Sequence, residues 1–159
     1  MPFMLYLLLS AAIASAVFAA PGRRSIRLAG TLFYLVQAAF GAWLFAGGGY
    51  GESVGSLFAF DAAGSLFFVL LVTVSLWVFH HSETYLQDCD LRQTRTYFAL
   101  LMLLTTAIAG AYFASNLAVT WIFLEATTLC SGGIIYHRRT AQTLEAAWKY
   151  VFVCSTGIA

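Results

Sequence analysis

The stretch Thr96–Tyr136, TYFALLMLLTTAIAGAYFASNLAVTWIFLEATTLCSGGIIY, holds a single charged residue, Glu125, in an otherwise apolar run. A bilayer core of about 30 Å takes about 20 residues of apolar helix. The stretch therefore reads as two membrane-spanning helices, Thr96–Ser115 and Leu117–Tyr136, with a tight turn at Asn116 between them. Outward from it the pattern repeats. On the N-terminal side the polar segment HSETYLQDCDLRQTR (81–95) reads as a loop. Before it come apolar runs at Ser56–Phe79, Leu28–Gly47 and Phe3–Ala20, broken by a glycine cluster ending at Gly51-Glu52 and by Pro21-Gly22-Arg23-Arg24. On the C-terminal side a sixth helix begins near Thr143. The expected fold is an all-α, polytopic transmembrane bundle of six spans.

Composition agrees. Of 159 residues, 61% are hydrophobic and only 9% charged, whereas a soluble domain carries roughly a quarter charged residues. That deficit excludes a water-soluble enzyme, and a formal net charge of +1 without a basic patch argues against nucleic-acid binding. Cys89, Cys130 and Cys154 form no CxxC or Cys/His spacing, so neither a disulfide framework nor a metal centre is expected. No phosphate-binding loop or nucleophile elbow is present. The four tryptophans lie toward span ends, as interfacial anchors do.

Charge also sets the orientation. Seven of the eight basic residues fall in alternate connections: Arg23, Arg24 and Arg27 after helix one, Arg92 and Arg95 after helix three, Arg138 and Arg139 after helix five. The positive-inside rule then places those connections in the cytoplasm and the N-terminus outside. Helix one lacks the basic n-region of a secretory signal, so it reads as a permanent span. From Ala146 to Ala159 helix six has about 21 Å of rise, less than a bilayer core. The sequence is therefore expected to be the front of a longer polypeptide, or to be completed by a partner.

Three ionisable residues fall within these spans, and a charge in hydrocarbon costs at least a few kcal/mol unless paired or hydrated. Glu125 is the foremost candidate for function: it lies roughly 12 Å along helix five, too deep to reach the surface. Thr128 and Gly132 share its face, offering a hydroxyl and a close-packing notch. Alternatively, a protonated Glu125 serves only as interhelical glue. Lys149 follows Glu145 by four residues, the favourable order for an ion pair near the entrance of helix six; alternatively, at about 9 Å depth, it exchanges charge with Glu125. Asp61 reads as an interfacial or helix-N-terminal acid. Gln37, in helix two, is expected to hydrogen-bond inside the bundle. His80, His81 and His137 sit at helix ends beside Arg138 and Arg139, in an expected solvated rim, too shallow for a bis-histidine haem.

The segment from Ala114 onward, ASNLAVTWIFLEATTLCSGGIIYHRRTAQTLEAAWKYVFVCSTGIA, resembles the antiporter-like, proton-translocating membrane subunits of respiratory complex I, Mrp-type antiporters and membrane-bound hydrogenases. The matching features are Asn116, the aromatic approach to Glu125 with Ala-Thr-Thr-Leu after it, and the LEAAWKY block containing Lys149. FAFDAAGSLF around Asp61 is similar to the family segment with an aspartate opening that span. The closest likeness is to the F components of hydrogenase-4 and formate hydrogenlyase complexes.

The resemblance implies a proton path of buried carboxylates and lysines in a larger bundle with broken helices. In that frame residues 1–113 are three peripheral helices, a cytoplasmic loop and helix four, and residues 114–159 open the translocation module. Glu125 then matches the family's helix-five glutamate, which tunes a lysine on a seventh helix, and Lys149 matches a lysine near the start of helix six. Asp61, Thr128 and Glu145 are supporting residues. The implied setting is the bacterial or archaeal cytoplasmic membrane, with other membrane subunits and soluble Fe–S or hydrogenase-type subunits as partners. No cofactor is expected on this chain. A structural anchor of a membrane arm, or a haem- or quinone-binding redox subunit, are the alternative functions.

Overall fold

A computed structural model describes residues 2–46, 53–54, 56–87 and 89–158. The described residues form six α-helices: α1 (Pro2–Phe18), α2 (Arg23–Phe45), α3 (Ala62–Tyr85), α4 (Leu91–Phe113), α5 (Leu117–Ile135) and α6 (Ala141–Ile158). The all-α class read from the apolar runs holds. Four helices, α2 to α5, are long and apolar enough to cross a membrane; α1 has 17 residues, and α6 carries Glu145 and Lys149 in its first half. The glycine cluster at 47–52 lies outside the described residues.

Helix α4 is the hub of the bundle. It packs against α1, α2, α3 and α5, and over half of its apolar span is buried. Two clusters of apolar side chains fill the space among α1–α4: one around Phe33, Phe79, Phe98 and Met102, the other an aromatic group around Phe3, Phe40, Phe68 and Phe113. The α5–α6 hairpin then docks on α4. A Cβ added at Gly110 of α4 would meet the Phe123 ring of α5 at 2.3 Å, so with any larger residue there the ring or the helix must shift.

Helix boundaries depart from the apolar runs. Arg23, Arg24 and Arg27 belong to the first turns of α2 rather than to a loop. Most of the polar segment 81–95 is helical: α3 continues to Tyr85, and α4 starts at Leu91 behind a capping box of Asp90 and Gln93. Hydropathy marks the part of a helix that meets oil, while capping chemistry marks where its hydrogen bonding ends.

A second correction concerns Ser56–Phe60, which reads in sequence as the start of helix three. Phe58–Ala59 is a short strand, β2, paired antiparallel with β1 (Ser53–Val54) and bridged from Phe58 to Ala114 at the α4–α5 corner. Phe58 and Phe60 are buried while Leu57 and Ala59 are exposed, a period of two that belongs to a strand. Ser115 fastens the corner, its backbone N–H donating to Leu57 O at 2.9 Å and its hydroxyl to Ser56 O at 3.1 Å.

The two ends of the bundle differ in charge. At one end lie α1's start, the β1–β2 ribbon and the α4–α5 corner. At the other, Arg23 Nη2 donates to the carbonyls of Leu86, Gln87 and Cys89 at 3.3, 2.9 and 2.8 Å, fastening the α3–α4 connection to the start of α2. There too Arg138 Nη2 donates to Tyr85 Oη at 3.0 Å, and Arg27 pairs with Glu83. The three basic connections inferred from sequence thus share one end.

Candidate functional site

Of the residues singled out for function, Glu125 and Thr128 lie on α5 and Glu145 and Lys149 on α6, while Asp61 lies apart at the start of α3. Asn116 starts α5, its side chain accepting the Ala118 N–H at 2.9 Å. A single 3₁₀ turn, Tyr136–Arg138, closes the helix, and Arg139 takes a left-handed conformation with φ of 54° that reverses the chain. Thr140 and Thr143 then cap α6, the Thr143 N–H donating to Thr140 Oγ1 at 3.1 Å and the Thr140 N–H to Thr143 Oγ1 at 2.9 Å. With so tight a connection the two helices run antiparallel and in contact.

Their seam is set by small residues. A Cβ added to Gly132 would stand 2.6 Å from Val151 Cγ2 and 3.9 Å from the Ala147 carbonyl oxygen, so the notch read from the sequence accommodates α6. Thr128 is buried on the same face, 4% exposed, but its hydroxyl donates to Leu124 O of its own helix at 3.2 Å. Thr128 thus fills the seam and does not partner Glu125.

Glu125 is half-buried, about 12 Å along α5 from Leu117. Its Oε1 accepts a hydrogen bond from Ser155 Oγ of α6 at 2.6 Å. Ser155 is not among the residues that charge or motif single out in the sequence. The signal was present: a hairpin that turns at 136–140 sets residues near 125 opposite residues within about a turn of 151, and Ser155 is a hydroxyl at that height.

A hydroxyl is a particular kind of partner for a carboxyl group. It donates to the carboxylate and accepts from the carboxylic acid, so the contact is available in both protonation states. A lysine or arginine in the same place would instead stabilise only the ionised form.

Lys149 and Glu145 lie elsewhere. Lys149 Nζ donates to Glu145 Oε1 at 2.5 Å, with side chains 63% and 62% exposed. At 3.6 residues per turn, Lys149 is roughly 200° around α6 from Val151 and Ala147, which face α5. The structure brings Lys149 to Glu145, as the i,i+4 spacing indicates, and not to Glu125. Asp61 is outside α3 and caps it: its Oδ1 accepts the Gly64 N–H at 2.9 Å, which is the work of an N-terminal acid.

Two further polar residues are informative. Gln37 is fully buried and accepts a 2.7 Å hydrogen bond from Tyr6 Oη, as its place within the bundle suggested. His137 departs from the expected solvated rim. It is 8% exposed, with Nδ1 2.7 Å from Ile134 O and its ring against Tyr97 and Tyr85. The Arg138 guanidinium lies over the Tyr85 ring, 5.3 Å from its centroid. Among the described residues, no group of three or more His, Cys, Asp or Glu side chains is arranged to hold a metal ion.

No protein-family model, curated protein or solved structure matches the chain.

Proposed function

We propose that this chain is an ion-translocating membrane subunit in which Glu125 takes up and releases a proton. One observation carries the proposal: a carboxyl group midway along an apolar helix, half-buried in an interhelical seam, whose hydrogen-bond partner is the hydroxyl of Ser155. An acid in hydrocarbon is costly to keep charged. Its protonation state therefore responds to small changes in hydration or in a neighbouring charge. In the charged state Glu125 holds a proton on a nearby lysine, and displacement of that partner releases it. By resemblance the lysine belongs to a seventh helix. Lys149, with Glu145, supplies a further ionisable pair on the exposed face of α6.

In this account all six helices cross the bilayer, with the basic end in the cytoplasm and the N-terminus outside. The setting is a bacterial or archaeal cytoplasmic membrane, and the energy comes from electron transfer in Fe–S or hydrogenase-type partner subunits. The residues supporting the resemblance are Asn116, Glu125 with its Thr-Thr-Leu, and the LEAAWKY block around Lys149. Proton pumping by the assembled complex carrying Glu125→Gln is the test. Pumping is lost while assembly and electron transfer persist. Undiminished pumping at normal assembly removes Glu125 from the mechanism, and tolerance of neutralising both Glu125 and Lys149 identifies a structural anchor.

A further inference from the structure

At the basic end of the bundle an open groove of about 620 Å³ runs between α2 and α3. Arg27, His80 and Glu83 form its rim, and Leu35, Leu76 and Phe79 line it on the apolar side. Polar groups at helix ends above an apolar wall follow the depth profile of a membrane lipid, headgroup above and acyl chains alongside the span. The groove lies on the outer surface of two helices long and apolar enough to cross a membrane.

The rim is more specific than its polarity. Arg27 Nε donates to Glu83 Oε1 at 3.1 Å, and this is the guanidinium's only protein hydrogen bond among the described residues. Glu83 therefore orients the guanidinium through one edge and leaves both terminal nitrogens available, the fork that suits a phosphate. Arg24 is exposed three residues earlier on the same side of α2. Arg24 and Arg27 against Glu83 leave an excess of positive charge at the rim, which complements a phosphodiester anion.

We infer that the α2–α3 groove binds an anionic phospholipid. Its phosphodiester lies on the terminal nitrogens of Arg27 with His80 beside it, and an acyl chain runs along Leu35 and Leu76. Basic pockets between spans are suited to such headgroups, and each arginine near an anionic surface contributes about 1 kcal/mol. The inference is independent of any role for Glu125.

The full chain reconstituted in nanodiscs of equimolar phosphatidylglycerol and phosphatidylcholine, then released into the gas phase for native mass spectrometry, tests it. Phosphatidylglycerol is retained over phosphatidylcholine by about fivefold, the ratio equivalent to ~1 kcal/mol. Arg27→Gln abolishes the preference; Glu83→Gln keeps it, and Arg92→Gln, at another basic connection, leaves it unchanged. Equal retention of the two lipids by the unaltered chain overturns the inference, as does a preference that survives Arg27→Gln. Replacing phosphatidylcholine with phosphatidylethanolamine separates a zwitterionic headgroup, whose equal retention also overturns it. If Arg27→Gln does not fold, Leu76→Trp fills the wall without touching a charge, and a preference retained in that variant has the same meaning.

Discussion

Glu125 of α5 and Ser155 of α6 share a 2.6 Å hydrogen bond across the seam of an antiparallel helix pair. The bond joins the one carboxyl group within α5 to a partner that is both donor and acceptor. It also gives the hairpin a polar fastening beside the close packing of Gly132 against Val151 and Ala147.

Ser155→Ala removes the hydroxyl and leaves Glu125 half-buried without it. Thermal unfolding of the detergent-solubilised chain is expected to show a loss of about 1–2 kcal/mol, and Ser155→Thr is expected to restore most of it. Equal stability of Ser155→Ala and the parent would mean that the hydroxyl does not hold the carboxyl group.

Gly132→Ala places a methyl group 2.6 Å from Val151 Cγ2, so α6 must shift or Val151 must turn aside. Overpacking of this kind costs about 1–3 kcal/mol. Adding Val151→Ala in the same chain is expected to return most of the loss. A double variant no more stable than Gly132→Ala would contradict the contact.

Tyr6→Phe strips the donor from Gln37 Oε1 at a site where Gln37 is fully buried and its Nε2 has no partner among the described residues. The amide is then left with neither end satisfied, at a cost of about 1–3 kcal/mol. Replacing both partners, Tyr6→Phe with Gln37→Leu, is expected to be less destabilising than Tyr6→Phe alone, a comparison that chemical or thermal unfolding resolves.

Arg23→Gln removes the guanidinium that three carbonyls of the α3–α4 connection share. The effect is local, so hydrogen exchange is the suitable measurement. Amides of the α3–α4 connection, with Leu86 and Cys89 among them, are expected to exchange faster, while those of α5 keep their protection. Unchanged exchange there would show that water serves those carbonyls equally well.

Much of the architecture was legible because apolar length and the spacing of arginines are properties of the chain itself. The helices, the Asn116 turn and the gathering of Arg23, Arg92 and Arg138 at one end follow from them. Boundaries were less legible, since residues such as Arg27 and Tyr85 are polar or interfacial yet continue a helix. The Phe58–Phe60 alternation was hidden inside an apolar run that also fits a helix. At the candidate site, Glu125 and the Glu145–Lys149 pair were visible because isolated charge and i,i+4 spacing are local. Ser155 becomes legible only once the 136–140 turn is placed, and the burial of His137 depends on which helix faces which.

The central claim is that Glu125 changes its protonation state during function. Infrared difference spectroscopy of the assembled complex, comparing resting and turning-over enzyme in H₂O and D₂O, follows a carboxylic C=O band directly. The account predicts a band that appears or vanishes with turnover, shifts in D₂O and is absent from Glu125→Gln. If no turnover-dependent carboxyl band disappears in that variant, Glu125 is fixed glue between α5 and α6 and not a proton carrier.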